Sequence, residues 1–163
     1  MGLLLSDEKA QELIKALKHI VKRHVIDLNQ SFKGTINLKG FGNHELDIHY
    51  LISRNIPGKY SIHLMDCKTY HTLIRLNICN DNTFHKNADG ERIYGNRVNI
   101  FSTEEYEQKN DGQTHYKAYN LPYDTLVLHP SFHNMLNTFL EYTNTVKNDK
   151  LTISSTDVQM ELF

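Results

Sequence analysis

The fold is decided by residues 84–96, FHKNADGERIYGN, and by the segments on either side of them. Residues 72–79, just before, alternate apolar and polar side chains with the period of two that is typical of a strand. Asn87, Asp89 and Gly90 supply turn chemistry, because Asn and Asp bond neighbouring backbone and Gly accepts a positive φ. Two more β-rich segments follow, 97–101 and 114–120. The stretch therefore predicts the centre of an antiparallel sheet.

The segments upstream repeat this alternation. Residues 45–53 place Leu46, Ile48 and Tyr50 on one face and Asp47 on the other. The other predicted strands upstream are 32–39, 60–67 and 71–79. A turn at 55–58, NIPG, separates two of them, because Pro fixes φ and Gly accepts positive φ. The sequence therefore predicts a meander of antiparallel strands.

A first helix is predicted to begin at Ser6, a good N-cap, and to end between Arg23 and Asp27. Its apolar stripe has spacings of three and four residues: Ala10, Leu13, Ile14, Leu17, Ile20 and Val21. Its other face carries Lys9, Lys15, Lys18 and Lys22. We expect this basic face to be solvated, and the alternative is a contact with an acidic partner or a phosphate.

A second helix is predicted after Ser131, another N-cap, and it should pack on the sheet beside the first. Its stripe is Phe132, Met135, Leu136, Phe139, Leu140 and Thr143. Between the strands, 102–112 is polar and charged, and residues 110–113, NDGQ, are typical of a hairpin turn. From Asn144 onward the composition is that of a tail.

These patterns predict an α+β fold in which an antiparallel β-sheet of five to seven strands has an N-terminal and a C-terminal helix packed on it. The chain has 163 residues, the size of one ordinary domain. We therefore expect a single domain over residues 1–150 and a tail over residues 151–163 that carries a candidate binding peptide.

Composition excludes several classes of protein. The formal net charge is −1, so no global positive field gathers phosphates, and direct nucleic-acid binding is not expected, although a local patch stays open. No segment approaches the ~18 apolar residues of a membrane span. Cys67 and Cys79, without a signal-peptide pattern before them, are expected to be reduced thiols in the cytoplasm.

The sequence contains few patterns that are typical of catalytic or metal-binding sites. The ten histidines include no pair at the spacing of metal ligands on one helix face, so no metal site is predicted. No Gly-x-Ser-x-Gly turn and no Gly-rich phosphate loop is present. The sequence therefore predicts no catalytic residue and no cofactor, and it favours a protein that is not an enzyme.

Part of the chain, from Leu73 to Pro122, resembles a family of small bacterial and phage proteins of uncharacterised function. The motifs that carry the resemblance are Arg75-Leu76-Asn77, His85 to Glu91, Ile93, Gly95, Glu105-Tyr106 and Tyr119 to Pro122. The family has a His-x-Asn-Pro-Asp-Gly-Glu loop, and this chain departs from it with Ala88 in place of Pro. It also has Arg97, Asn99 and Phe101 where the resemblance implies His, His and Tyr. Any chemistry that those histidines perform in relatives is expected to be absent here.

The last five residues are the sharpest functional clue. Gln159-Met160-Glu161-Leu162-Phe163 resembles the Gln-(Leu/Met)-x-Leu-Phe peptides that dock on the bacterial replication sliding clamp. The resemblance implies that Gln159, Met160, Leu162 and Phe163 bind a partner, with Leu and Phe in an apolar cleft. The alternative is that alternating Val158, Met160 and Leu162 fold onto the body as a last strand.

The leading hypothesis is a non-enzymatic bacterial or phage-borne accessory protein that binds a protein partner, with the DNA polymerase sliding clamp as the candidate. A second hypothesis is a phage-encoded inhibitor of a host defence nuclease, of the anti-CRISPR type. A third is a metal-dependent nuclease that uses His85 or His115. The sequence leaves open the oligomeric state and whether clamp binding would tether an activity or block access.

Overall fold

The computed structural model describes residues 2–129 and 131–154 of the chain. Within these residues the helices are α1 (Asp7–Lys15), α2 (Thr103–Lys109) and α3 (Phe132–Tyr142). The strands of the first half are β1 (Lys18–Ile20), β2 (His24–Asp27), β3 (Lys33–Lys39), β4 (Glu45–Ile52), β5 (Tyr60–Asp66) and β6 (Thr72–Ile78). The strands of the second half are β7 (Phe84–Lys86), β8 (Arg92–Tyr94), β9 (Arg97–Phe101), β10 (Tyr116–Asn120), β11 (Thr145–Val146) and β12 (Leu151–Ser154).

The described strands form one large sheet and two small ones. The large sheet has eight strands in the order β10-β9-β6-β5-β4-β3-β1-β11. All its neighbours are antiparallel except β1 and β11, which are parallel. Strands β2 and β12 form a parallel pair, and β7 and β8 form an antiparallel hairpin. The α+β prediction is confirmed, but the sheet is larger than five to seven strands and is mixed rather than purely antiparallel.

One face of the large sheet carries the core. A row of apolar side chains crosses five adjacent strands, formed by Ile36, Ile48, Leu64, Ile74 and Ile100. Helices α1 and α3 supply the second layer of the same buried cluster, including Leu13, Ile14, Met135, Leu136 and Phe139. Each large side chain buried in this way stabilises the fold by about 1.5–3 kcal/mol. The helices thus cover one face and leave the other to the polar half of each strand.

Several local predictions are confirmed. The Ser6 hydroxyl accepts from the amide of Lys9, and the Ser131 hydroxyl accepts from the amide of Asn134, so both residues are N-caps. The strands predicted at 32–39, 45–53, 60–67, 71–79 and 97–101 correspond to β3, β4, β5, β6 and β9. Strict alternation on a half-buried sheet explains why these predictions hold.

The first helix is shorter than the sequence predicts. It ends at Lys15, since Ala16 is extended with ψ at 147°, and residues 18–20 form β1 instead. Lys18, predicted to face solvent, is 0% exposed. Its ammonium donates to the carbonyls of Ile14 and Ala16, each at 2.8 Å, and of Thr143 at 2.6 Å. These bonds satisfy carbonyls at the ends of two helices and fix the chain in an extended path.

The segment at 102–112, predicted only to be polar and charged, contains helix α2 between the antiparallel strands β9 and β10. Ser102 caps α2 by accepting from the amide of Glu105, and Asn110 ends it in the left-handed region with φ at 52°. Acidic residues in the first turn and Lys109 in the last turn match the helix dipole. The cap and the charges at the two helix ends are visible in the sequence, beside the turn residues 110–113.

The tail composition from Asn144 conceals two strands. Thr145–Val146 forms β11 beside β1, and Leu151–Ser154 forms β12 beside β2. Strand β12 thus lies within the stretch predicted as a tail, and residues 155–163 lie outside the described residues. In the described ranges, no helix combines the length and the apolar character needed to cross a membrane.

Candidate ligand-binding groove on the polar sheet face

The sheet face opposite the helices carries a row of polar side chains. The row runs through Thr35, His49, His63, Arg75 and Asn99 in register on five adjacent strands. It lies one residue out of phase with the apolar row, as the period-two geometry of strands requires. The alternation that built the core therefore also built a continuous polar surface.

A groove with a volume of about 900 Å³ opens beside this row. That volume lies within the range of small-molecule and cofactor sites. Five cationic residues line it, Lys33, Arg54, Lys59, Arg75 and Arg97. No Asp or Glu is among its described lining residues, which otherwise include Ser, Asn, Gln, Thr, Phe and Tyr side chains. In a chain of net charge −1, this is a local concentration of positive charge.

The cations occupy two depths. Lys33, Arg54 and Lys59 are exposed, whereas Arg75 and Arg97 are half-buried. The Arg54 guanidinium lies 4.2 Å from the centre of the Phe32 ring, a cation–π contact that holds it at the rim. An anion would therefore meet exposed charges at the rim and half-buried charges deeper in the groove.

The two deep arginines are held by neutral partners. Arg75 donates from Nε to Asn77 Oδ1 at 3.2 Å and from Nη2 to Ser61 Oγ at 3.4 Å. Arg97 donates from Nη1 to the Gly95 carbonyl at 3.0 Å and to Cys79 Sγ at 3.3 Å. Among the described contacts, neither guanidinium is paired with a carboxylate, so each keeps its full charge for a ligand.

Some buried polar side-chain atoms have no hydrogen-bond partner among the residues the structure describes. They include Arg97 Nε, Asn99 Oδ1 and the Tyr60 hydroxyl. Burial raises the pKa of Tyr60 well above its usual value, so its hydroxyl keeps a proton to donate. Unpaired buried groups are uncommon in native proteins. Of these three residues, Arg97 belongs to the groove cations, whereas the Tyr60 ring packs against Phe132 of α3 in the core.

Histidines extend the polar row away from the groove. The His49 and His63 rings lie 4.9 Å apart, and His49 Nδ1 is 2.9 Å from Thr35 Oγ1. Burial, and then the neighbouring His49 and Arg75, lower the pKa of His63 to about 4. His63 is therefore neutral at physiological pH and adds no charge to the face.

The loop at the centre of the sequence performs a structural task. The Asn87 amide donates to the Ala118 carbonyl and accepts from the Ala118 amide, both at 2.9 Å, so it pairs with β10 as another strand would. Buried Glu105 accepts from the amide of Ala88 at 3.0 Å. Gly90, with φ at 92°, closes the turn. These contacts account for Asn87, Glu105 and Gly90 as residues that hold the loop in place.

The structure does not group the histidines into a metal site. His85 packs on Tyr116 at 4.9 Å, and burial, with Lys109 and Arg97 nearby, lowers its pKa to about 4. His115 lies 5.2 Å from the His71 ring. Over 2–129 and 131–154, no group of three or more His, Cys, Asp or Glu could hold a metal ion. The two cysteines are free thiols.

The partner-binding residues predicted from sequence, Gln159, Met160, Leu162 and Phe163, lie outside the described residues. The groove is not predicted from the sequence, because its cations come from separate strands and loops. One signal was available: Arg75 and Arg97 occupy polar positions of alternating strands, where a charged side chain must lie on the face away from the core.

A comparison with known families matches residues 5–145 to a family of unknown function, DUF6978. The chain belongs to this family. No curated protein and no solved structure matches it. Membership in DUF6978 agrees with the resemblance to an uncharacterised family, and the groove can be interpreted only from its own chemistry.

Proposed function

We propose that this DUF6978 protein acts by binding, and that the groove on its polar sheet face holds a ligand that carries phosphate groups. The observation that carries the proposal is the set of five cations without a carboxylate in the groove lining. Guanidinium groups match phosphate geometry with parallel N–H donors. Arg97, one of these cations, also has a buried Nε–H without a partner among the described residues.

Inorganic triphosphate is a suitable first probe, with binding measured by isothermal titration calorimetry. We expect the double substitution Arg75→Gln/Arg97→Gln to weaken binding at least ~10-fold, because hydrogen bonds to charged groups contribute about 1.5–3 kcal/mol. The control is Lys22→Gln/Lys147→Gln, which changes net charge equally at exposed sites outside the groove lining. Equal weakening by both double substitutions, or no binding by the wild type, would refute the proposal.

A second candidate function is binding to the replication sliding clamp through residues 159–163. It is supported by the match of Gln159, Met160, Leu162 and Phe163 to every specified position of the clamp-binding pattern. Ser154, at the end of β12, is exposed, and chain length alone keeps Gln159 within about 18 Å of it.

A pull-down with purified bacterial sliding clamp tests this second function. Leu162→Ala/Phe163→Ala should abolish capture, because buried side chains supply most of the affinity of short linear peptides. Glu161→Ala, at the unspecified position, is the matched control and should bind like the wild type. Capture that survives the double substitution would remove the clamp hypothesis and leave the groove proposal untouched.

The free thiols of Cys67 and Cys79 favour the cytoplasm as the location for either function. The two other sequence hypotheses, an inhibitor of a host defence nuclease and a metal-dependent nuclease, gain no specific contact from the residues that the structure describes. We therefore rank them below the groove and the clamp peptide.

A further inference from the structure

The hairpin β7–β8 begins at the edge of the groove. Thr83, Cys79 and Arg97 line the groove, and Phe84 of the hairpin follows Thr83 directly. The Gly95 carbonyl, next to Tyr94, accepts from both Cys79 Sγ and Arg97 Nη1. The hairpin is thus attached to the groove by covalent continuity at one end and by hydrogen bonds at the other.

The outer face of this hairpin carries two exposed aromatic rings. Phe84 and Tyr94 are a cross-strand pair, 43% and 47% exposed, and their ring centres are 5.2 Å apart. His85 and Ile93, on the other face, pack inward. Phe84 and Tyr94 differ from singly exposed aromatic residues such as Phe41 because the two rings are in contact with each other. The pair therefore forms a small apolar platform next to the cationic groove.

Two cations flank the aromatic platform. Lys86 and Arg92 form the next cross-strand pair, and both are exposed. The Arg92 guanidinium lies 5.1 Å from the centre of the Phe84 ring. Carboxylates are also nearby: Asp81 lies beside Gly95, and Asp89 and Glu91 occupy the exposed hairpin turn. The positive charge therefore lies along the strands, between the groove and the turn.

We infer that the ligand of the groove is a single-stranded nucleic acid, with phosphates held by the groove cations and bases stacked on Phe84 and Tyr94. This inference rests on the proposed phosphate-binding function and extends it. A positively charged groove that follows the backbone, combined with exposed aromatic side chains, is the arrangement by which proteins bind single strands with little sequence preference. A small free phosphate compound would use the groove and leave the aromatic platform unused. An acidic protein would use the charges without a need for flat rings.

The inference is tested by fluorescence anisotropy with labelled oligonucleotides of about 12 nucleotides, dT and rU, and with an abasic strand of equal length. Phe84→Ala/Tyr94→Ala should weaken dT and rU binding at least ~10-fold, because stacking contributes about 1–3 kcal/mol per base. The matched control is Phe41→Ala, which removes a 95% exposed aromatic ring outside the hairpin. The abasic strand should bind more weakly and should not respond to the hairpin substitutions.

Salt dependence separates the contribution of the groove from that of the hairpin. Arg75→Gln/Arg97→Gln should reduce the slope of log affinity against log salt by about 1.4, since two fewer phosphates are neutralised and each contributes about 0.7 on a single strand. The hairpin substitutions should leave this slope unchanged. A preference for rU over dT would identify RNA as the natural strand, the reverse would identify DNA, and either result supports the inference.

Three results would overturn it: equal binding of the abasic strand, equal binding of a duplex of the same sequence, or equal binding of polyglutamate. If triphosphate binds and no oligonucleotide does, the single-strand inference fails while the phosphate groove stands. If neither binds, both fail.

Discussion

Lys18 and Arg97 are two cations withdrawn from water in very different surroundings. The Lys18 ammonium donates to three carbonyls and lies between the ends of α1 and α3. The Arg97 guanidinium donates only from Nη1 within the described contacts, its Nε is buried without a partner, and it lines the groove. Burial, and then the neighbouring Lys15, lower the pKa of Lys18 to about 7, and its three hydrogen bonds tie the two helix ends together. A buried basic group with all its bonds made inside the protein thus serves the fold. One with bonds left over is available to a ligand.

The largest expected effect is on the Lys18 side of this comparison. Lys18→Met leaves up to three carbonyls without a donor and should lower the free energy of unfolding by about 3–4 kcal/mol, because each unsatisfied buried group costs about 1–3 kcal/mol. Urea denaturation measures it, with exposed Lys22→Met as the control. A loss below about 1 kcal/mol would show that the bonds of Lys18 are not what holds the helix ends together.

The next effect concerns protonation on the polar face. His63 has a pKa of about 4 in the folded protein against 6.5 in the unfolded chain, chiefly because it is buried. The unfolded state therefore binds more protons between these two values, and the free energy of unfolding should fall as pH drops from 6.5 to 4. After allowance for partial exposure, we expect this one residue to account for about 2 kcal/mol of that loss.

Denaturation of the wild type and of His63→Gln at several pH values isolates this contribution. The variant should lose less stability on acidification, and the difference in the free energy of unfolding between the two proteins should become independent of pH above about 6.5. If the two curves stay parallel over the whole range, His63 is not the group that responds to acid.

The smallest expected effect on stability belongs to Arg97. Arg97→Gln removes two hydrogen bonds but also relieves a buried unpaired N–H, so the free energy of unfolding should change by less than about 1 kcal/mol. The affinity for triphosphate should nevertheless fall about 3–10-fold, as expected for loss of one charge-assisted contact. Stability and affinity measured on one preparation test this directly. A large loss of stability would place Arg97 with Lys18 as a structural cation.

Strand alternation was predictable where one face is apolar and the other polar. Residues of β4 such as Leu46 and Ile48 show this, and so does Asp47 between them. The end of the first helix at Lys15 could not be predicted from the spacing of apolar residues alone. Leu17, Ile20 and Val21 fit the apolar pattern of either a helix or a strand. A run of β-branched residues at 20–21 and 25–26 favours strands and was the signal available.

The groove was beyond sequence reasoning for a different physical reason. Arg75 and Arg97 are 22 positions apart in the sequence but lie on adjacent strands β6 and β9, with Asn77 directly opposite Arg97. Such segments are held together by hydrogen bonds between residues distant in the chain. One example is the pair of bonds between the Asn87 side chain and the Ala118 backbone. Composition gave only the average charge, and an average near zero conceals a local cluster.

The most direct test of the central claim is a nuclear magnetic resonance titration that follows the side-chain Nε–H signals of Arg75 and Arg97 as inorganic triphosphate is added. The account predicts that these two signals shift together and saturate, while the backbone amide of Lys18 stays unchanged. Saturable shifts that appear elsewhere and leave both arginine signals in place would contradict it.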